Sequence, residues 1–153
     1  MPIDPARGFT LRDVTWEMSA AKLRAVRIAV FVVEQNIPEE LEWDEHDAVS
    51  PHALAEDRHG VAIGCGRLLA DGHIGRLAVV EAWRGRGVGA ALLQHLVELA
   101  HTRGHPRAIL NAQEHAVPFY ARYGFARSGE PFVEAGIPHQ EMVRDLGVRD
   151  LTP

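Results

Sequence analysis

Hydrophobic positions recur along the chain with two spacings, one typical of strands and one typical of helices. The alternating stretch FTLRDVTW, residues 9–16, predicts a first strand. Apolar residues at helical spacing follow in residues 18–36 and predict a long helix, with Ser19 as its N-cap and Pro38 as its stop. The polar run EELEWDEHD, residues 39–47, predicts a loop or a short helical turn.

The middle of the chain predicts three strands and then a helix. Residues 52–80 contain three strand-like segments, separated by the hairpin motifs RHG and ADGH. Residues 87–104 predict an amphipathic helix that ends where Gly104 and Pro106 follow. One face of that helix is formed by Val88, Leu92, Leu96 and Leu99.

The last third predicts a buried strand, a short helix and two final strands. RAILNA, residues 107–112, is apolar enough for a buried strand, and HQEMVRDL, residues 139–146, predicts the last one. HAVPFYARYGF, residues 115–125, predicts a short helix with Pro118 in its first turn and Gly124 as its C′ residue. The element order, β-α-(α)-β-β-β-α-β-α-β-β, predicts a mixed α/β fold with helices on both faces of one sheet.

Length and composition favour one globular domain over residues 1–153, with an ordered core at about 9–146 and loose ends at 1–8 and 147–153. The chain is 46% hydrophobic and 24% charged, which is typical of globular proteins. A net charge of −5 argues against a nucleic-acid partner, because phosphate neutralisation needs a basic face.

The single cysteine, Cys65, rules out a disulfide within the chain and indicates a reducing compartment. Its apolar surroundings predict a buried core residue rather than a nucleophile. The sequence shows neither a signal peptide nor an apolar run of 18 residues, so we expect a cytoplasmic protein without a membrane partner.

The turn WRGRGVGAA, residues 83–91, combines three glycines and two arginines between a strand and a helix. Glycine backbone and a helix N-terminus together favour binding of a phosphate group. A Walker A loop is excluded, because the turn lacks the required lysine and hydroxyl. Gly85, Gly87 and Ala90 formally match a dinucleotide-binding G-x-G-x-x-A motif, but Asn111 stands near the place of the ribose-binding carboxylate.

A third interpretation accounts for more of the residues. Arg84, Gly87 and Gly89 form the motif R-x-x-G-x-G, and residues 119–125 form F-Y-x-x-x-G-F downstream. The two motifs, in this order and at this separation, resemble those of the GNAT superfamily of acetyl-CoA-dependent N-acetyltransferases. The resemblance covers about residues 10–146 and is strongest to the ElaA-like subgroup.

The resemblance implies a central mixed, mostly antiparallel twisted sheet, flanked by helices on both faces and splayed between its fourth and fifth strands. It also implies acetyl-CoA as co-substrate, with its pantetheine arm along the backbone of Leu77, Ala78 and Val79. The diphosphate would be bound by Arg84, Gly85, Arg86, Gly87, Val88, Gly89 and Ala90. Gln113, where many relatives have Asn, and Tyr120 are further expected cofactor contacts.

In that family the tyrosine of the second motif serves as the acid for the leaving thiolate, and Tyr120 occupies its position. A phenol is almost wholly protonated at neutral pH and can supply a hydrogen bond or a proton to a thiolate. Tyr123 lies nearly on the same helix face and competes for the role. Only the register of the motif favours Tyr120.

The candidates for a general base are more numerous. Glu34 lies at a position that usually forms part of the wall of the acceptor site in this family. Glu114 follows the strand that carries Asn111. His73 and His139 are further candidates, because histidine titrates near neutral pH. An acidic cluster could attract a cationic acceptor, although a solvated loop is the simpler interpretation. The cluster consists of Glu39, Glu40, Glu42, Asp44, Glu45 and Asp47.

The expected reaction is direct transfer of an acetyl group to a primary amine in a ternary complex, with a small molecule or a peptide as acceptor and a homodimer as a common family assembly. A non-catalytic acyl-CoA sensor and a small Rossmann-type domain remain alternatives. No metal is expected. His101 and His105 are four residues apart, but Gly104 and Pro106 break the helix that would align them.

Overall fold

The computed structural model describes residues 7–147. Residues 1–6 and 148–153, which include most of the predicted loose ends, lie outside the described residues. The described strands form one sheet. They are β1 (Phe9–Val14), β2 (His52–Asp57), β3 (Ala62–Leu68), β4 (His73–Val79), β5 (Arg107–Gln113), β6 (Ala126–Arg127), β7 (Phe132–Glu134) and β8 (Ile137–Asp145). The helices are α1 (Trp16–Arg27), α2 (Val88–Thr102) and α3 (Val117–Ala121), with a π-helical segment at Ile28–Glu34 and 3₁₀ turns at Glu39–Leu41, Glu81–Trp83 and Glu114–Ala116.

The strand order is β1-β2-β3-β4-β5-β8-β6, and β7 pairs with β8 beside this path. Every described pairing is antiparallel except that of β4 with β5. This confirms the predicted mixed, mostly antiparallel sheet. It also makes the Rossmann alternative wrong, since a doubly wound domain needs a mainly parallel sheet.

Two hydrophobic clusters cover the two faces of the sheet. One contains Leu92 and Leu96 of α2 together with Leu110 of β5, and the other contains Leu23 and Val26 of α1. Helices therefore lie on both faces, as predicted. At roughly 1.5–3 kcal/mol for each large aliphatic side chain that is buried, these clusters provide most of the driving force for folding.

Cys65 belongs to the cluster under α1 and is 1% exposed. Burial raises the pKa of its thiol to about 12, so the thiolate is suppressed at neutral pH. The prediction of a core cysteine is confirmed.

A glycine in β3 allows α2 to lie close to the sheet. A Cβ atom on Gly66 would lie 2.6 Å from Cδ1 of Leu96. Such a distance is far inside normal carbon–carbon contact, so a side chain here would displace the helix. The residue thereby fixes how near α2, and the loop before it, can come to the centre of the sheet.

The first helix begins earlier than the sequence predicts. Thr15 is the N-cap, and its Oγ1 accepts a hydrogen bond of 3.3 Å from the backbone N–H of Met18. Ser19 lies inside the helix at a kink with φ −128° and ψ 16°, so its prediction as the cap is wrong. Thr15 carries the same type of capping oxygen and stands directly before the first helical residue.

The helix also does not continue as an α-helix to residue 36. After Arg27 it widens into the π-helical segment Ile28–Glu34, at whose end the N–H of Gln35 donates to the carbonyl of Val30, five residues back, at 3.2 Å. Asn36 then takes a left-handed conformation with φ 57°, a common way to end a helix before Pro38 stops it.

Arg76 interrupts the alternation of β4. Its φ is +50°, and the pairing of β3 with β4 shifts register between Cys65 and Arg67, which marks a β-bulge. As a result Ile74 and Leu77, three residues apart, both pack toward the α2 face of the sheet. The extra residue directs the Arg76 side chain to the opposite face.

The C-terminal part confirms α3 and the glycine after it, and three strands follow α3 where the element order predicts two. Gly124 follows α3 with φ +89°. Short β6 and β7 both pair with β8, and Ala135 and Gly136 connect β7 to β8 with φ +51° and +76°. Two successive positive φ angles are those of a tight hairpin turn. Within residues 7–147, each helix is too short or too polar to cross a bilayer.

Candidate active site

A cleft opens in the middle of the sheet, where β4 and β5 separate. The two strands pair only at His73–Ile109 and Ile74–Leu110, so the splay lies between the fourth and fifth strands, as predicted. The resulting cavity has a volume of about 840 Å³, which is within the range of small-molecule sites. On the edge that faces β5, the remainder of β4 therefore borders this cavity, while its other edge pairs with β3.

The direction of the Val79 carbonyl follows from the backbone. The N–H of Val80 donates to the carbonyl of Ile63 in β3, with a distance of 3.0 Å. In a trans peptide the preceding carbonyl points the opposite way, so the oxygen of Val79 points toward the splay. Leu77, Ala78 and Val79, the residues predicted to contact the pantetheine arm, all line the cavity.

The glycine-rich loop lies between β4 and the start of α2. Gly85 and Gly87 have φ of +75° and +86°, conformations that L side chains rarely adopt. A Cβ atom on either residue would meet no other atom within 4 Å, so the space above the loop is open. Gly87 caps α2 without a side-chain hydrogen bond, which leaves the first N–H groups of that helix free for an anion.

Arg84, the first residue of the loop motif, has two partners. Its Nη1 and Nη2 donate to the Glu34 carboxylate at 2.8 and 2.5 Å, and its Nε donates to the carbonyl of Val79 at 3.0 Å. The hydrogen bonds from Arg84 lower the pKa of Glu34. Glu34, a predicted base, does line the cavity, but its carboxylate is engaged by a cation.

The end of the π-helical segment is also tied to β5. Gln35 and Gln113 exchange two amide hydrogen bonds of 3.1 and 2.7 Å, and both residues line the cavity. Gln113 is thus placed at the cavity, as expected for a cofactor contact. Gln35 had no distinguishing pattern in the sequence, because its partner is 78 residues away.

Tyr120 lies on α3 with its side chain at the cavity, packed edge-to-face against Phe119 and Phe125. Burial raises the pKa of Tyr120 to about 12. Its competitor Tyr123 packs on Phe119 and is not among the described residues that line the cavity. Of the two tyrosines, the structure therefore places Tyr120 where it can meet a ligand.

The other candidate bases occupy different positions. Glu114 pairs with Arg127 at 2.7 Å and does not belong to the cavity lining of the described chain. His73 lines the cavity, with Nδ1 2.9 Å from an oxygen of Asp71. His139 also lines it, and its Nδ1 lies 2.7 Å from the carbonyl oxygen of Ile137.

The tautomer of neutral His139 follows from that contact. A carbonyl oxygen can only accept, so Nδ1 must carry the proton. Nε2 is then left with its lone pair, and the ring is held by stacking on Phe132, with centroids 5.6 Å apart. The contact and the stacking together fix the ring of a residue that lines the cavity.

A buried cluster of three arginines and three carboxylates lies beside the cavity on the α1 face. Its members are Arg27, Arg67 and Arg76 with Glu42, Asp44 and Asp47. The predicted solvated loop at residues 39–47 is therefore wrong for these three carboxylates, because Glu42 and Asp47 are only 3% and 2% exposed and the partly buried Asp44 is bound by Arg67. Glu39, Glu40 and Glu45 are exposed, as expected.

The sequence contained one indication of this cluster. Arg67 and Arg76 stand within apolar strand segments, where a charge needs a buried partner. Arg27 shows the same principle, with hydrogen bonds to Glu42 at 3.0 Å and to Asp47 at 2.7 Å. Within the described residues, His, Cys, Asp and Glu side chains form no group that could hold a metal ion.

The fold, the splay and the two motifs define a class. A family model described as an acetyltransferase (GNAT) domain matches residues 19–146, and the chain belongs to the GNAT family. Two relatives are especially informative. An uncharacterized N-acetyltransferase from Bacillus subtilis, YjcF, is 40% identical over 124 residues, which are 78% of this chain and 88% of that protein.

The protein ElaA of Escherichia coli is 34% identical over 140 residues, or 85% of this chain and 92% of ElaA. Its crystal structure superposes with a TM-score of 0.80, covering 90% of this chain and 99% of ElaA. These findings confirm the ElaA-like subgroup. A GNAT family acetyltransferase from Elizabethkingia anophelis, solved with acetyl-CoA bound, shares the fold with a TM-score of 0.64 at 18% identity, over 91% of this chain and 99% of that one.

Proposed function

We propose that the protein is an acetyl-CoA-dependent N-acetyltransferase that transfers an acetyl group to a primary amine by direct attack in a ternary complex. The observation that supports this most is the unpaired edge of β4 at the splay, which leads directly into the glycine-rich loop. An extended ligand with amides at one end and a diphosphate at the other suits both features.

The residues present fit acetyl-CoA. The loop from Arg84 to Ala90 offers glycines with positive φ, free N–H groups at the start of α2 and the side chain of Arg86. The backbone of Leu77, Ala78 and Val79 offers hydrogen-bonding groups to the pantetheine amides. When bound, acetyl-CoA supplies a thioester whose carbonyl carbon accepts the amine while the carbon–sulfur bond breaks.

Tyr120 is proposed to assist the leaving sulfur. Its raised pKa of about 12 means that the phenol keeps its proton at neutral pH. A thiol has a pKa of about 8.5, so the phenol holds its proton more tightly than the departing thiolate would. Tyr120 therefore stabilises the developing charge on sulfur mainly as a hydrogen-bond donor.

His139 is proposed to remove the proton from the acceptor amine. A lysine-like amine with pKa near 10.4 is about 0.1% neutral at pH 7.4, so a proton acceptor has to help. Nε2 of His139 is the unprotonated nitrogen of the neutral ring, and the residue lines the cavity. Glu34 is less suited, because Arg84 already binds its carboxylate.

The burial of Cys65 in the core favours direct attack over a covalent acyl-enzyme. Cys65 is buried and its thiol pKa is raised to about 12, so it cannot serve as a nucleophile. An acyl-CoA sensor without turnover would share the loop and the splay. The cavity positions of Tyr120 and His139 favour the enzyme.

Calorimetric titration with acetyl-CoA, with NAD in a parallel cell, is the first test. We expect micromolar binding of acetyl-CoA and none of NAD. Thiol release is then followed with a panel of primary amines. Absence of acetyl-CoA binding would overturn the proposal, and binding without thiol release from any amine would favour the sensor.

A further inference from the structure

Arg67 contains a buried hydrogen-bond donor that the chain leaves unused. Its side chain is only 4% exposed, and Nη1 and Nη2 donate to the carboxylates of Asp44 and Asp47 at 2.7–2.8 Å. Nε has no acceptor among the residues that the structure describes. A buried donor without a partner costs about 1–3 kcal/mol, so a ligand that supplies an acceptor gains from it.

Space for such a ligand lies next to Arg67. Gly75 is its cross-strand partner in β4, and both residues line the cavity. A Cβ atom on Gly75 would have no non-neighbouring atom within 4 Å. The open volume therefore extends to the arginine from the α1 side of the splay.

Arg76 brings a second guanidinium to the same place. The bulge at this residue, with φ +50°, is a strained conformation for a side chain of this size. Nε lies 3.2 Å from Oε1 of Glu42 and Nη2 lies 3.3 Å from Oδ2 of Asp44, whereas Nη1 makes no hydrogen bond to a described residue. The side chain is 27% exposed and lines the cavity.

The unused donors of the cluster favour a small anion at this point. Three arginines face three carboxylates, and burial raises the pKa of Glu42 and lowers the pKa of Arg76, so the formal charges balance. Nε of Arg67 and Nη1 of Arg76 remain as donors without an acceptor among the described residues. A planar carboxylate matches the fork of an arginine better than a neutral or cationic group does.

We infer that the acceptor amine carries a carboxylate, which Arg67 and Arg76 bind on the α1 side of the cavity. This inference rests on the proposed acetyltransferase function and specifies its substrate class as amino acids or similar amino-carboxylates. The carboxylates behind the arginines hold the two guanidinium groups in place, so little side-chain entropy is lost when the substrate binds.

The first experiment compares matched acceptors with the unaltered protein. Glycine, β-alanine and 4-aminobutyrate place the carboxylate at increasing distances from the amine, and each is tested beside its primary amide. We expect the best carboxylate to exceed its own amide by about tenfold or more in kcat/KM, mostly through KM. Equal rates for the amides, or a preference for a diamine such as putrescine, would overturn the inference.

The second experiment removes the unused donor. Arg67→Lys keeps a cation between Asp44 and Asp47 but lacks Nε–H, and Arg27→Lys makes the same change in the cluster at a residue outside the described cavity lining. We expect Arg67→Lys to reduce the ratio of kcat/KM for the carboxylate to kcat/KM for its amide by about tenfold, mostly through KM for the carboxylate, and Arg27→Lys to retain the ratio. An unchanged preference in Arg67→Lys would contradict the role of Arg67.

The two proposals fail differently. If acetyl-CoA does not bind, or if no amine releases thiol, the acetyltransferase function fails. If thiol is released equally from amines with and without a carboxylate, only the inference about the acceptor fails. Should Arg67→Lys not fold, the comparison of acids with amides in the unaltered protein still decides.

Discussion

Glu34 and Arg84 are 50 residues apart in the sequence and are joined by two side-chain hydrogen bonds of 2.5 and 2.8 Å. The same arginine donates to the carbonyl of Val79 at the end of β4. One side chain thus connects the π-helical wall of the cavity, the edge of the splay and the start of the glycine-rich loop.

Removing the charge of Glu34 should loosen the loop. An exposed ion pair is worth about 0–1 kcal/mol, so Glu34→Gln should weaken acetyl-CoA binding by no more than about fivefold, as measured by calorimetry. Glu114→Gln breaks a similarly exposed pair with Arg127, outside the described cavity lining, and should leave the affinity unchanged. If the two variants change the affinity for acetyl-CoA equally, the Glu34–Arg84 pair has no specific role in cofactor binding.

Gly87→Val should abolish acetyl-CoA binding without unfolding the domain. Gly104→Val is the matched control, because the two glycines have φ of +86° and +85° and open space around them. Both variants should lose about 1–2 kcal/mol of stability from left-handed strain, seen as similar decreases in melting temperature. Only the change at Gly87 should eliminate the calorimetric signal, and retained binding there would refute the assignment of the loop.

Tyr120→Phe should lower kcat by about 10²-fold and leave the affinity for acetyl-CoA nearly unchanged, because only the hydroxyl is lost. Tyr123→Phe removes the same atom from a ring outside the described cavity lining and should retain turnover. Stopped-flow or steady-state measurement of thiol release gives kcat for both. Unaltered turnover in Tyr120→Phe would remove it from the mechanism.

His139→Gln should lower kcat/KM by about 10²- to 10⁴-fold, because glutamine cannot take the amine proton. His115→Gln changes another histidine of the cavity lining and should retain kcat/KM, so it is the matched control. Steady-state thiol release gives kcat/KM for both variants, and an unchanged value in His139→Gln would assign the base to another group.

Acid should weaken the buried cluster through Asp44. Burial raises the pKa of this carboxyl group, but the hydrogen bonds and charges of Arg67 and Arg76 outweigh burial and lower it to about 2. Because an unfolded aspartate has a pKa of about 3.9, the ionised group stabilises the fold above about pH 4 and loses its contribution as the pH falls toward 2.

Urea unfolding at a series of pH values tests this. Asp44→Asn should be less stable than the unaltered protein near neutral pH, and the difference should shrink as the pH falls from about 4 to about 2. Glu45→Gln alters an exposed neighbour and should show no such convergence. A deficit that stays constant with pH would show that the carboxylate is not the stabilising species.

Local patterns predicted the positions of α2 and of the turn before it, because these features lie within short segments of the chain, and the second motif singled out Tyr120, which lines the cavity. The cluster around Asp44 could not be predicted in this way. Its ion pairs join residues 15 to 34 positions apart, such as Arg27 with Glu42 and Arg76 with Glu42, and only the folded sheet brings them together. The cap at Ser19 failed for a local reason, since Thr15 offered an equivalent oxygen one turn earlier.

The short pairing of β4 with β5 has a thermodynamic consequence. Among the neighbouring strands of six or more residues, β4 and β5 share the fewest residue pairs, two, and the atoms that fill the splay act as part of the structure there. A ligand bound there stabilises the fold by mass action, by about 2.7 kcal/mol at a hundred times its dissociation constant. If acetyl-CoA is that ligand, as proposed, the stability of the protein rises with the concentration of acetyl-CoA.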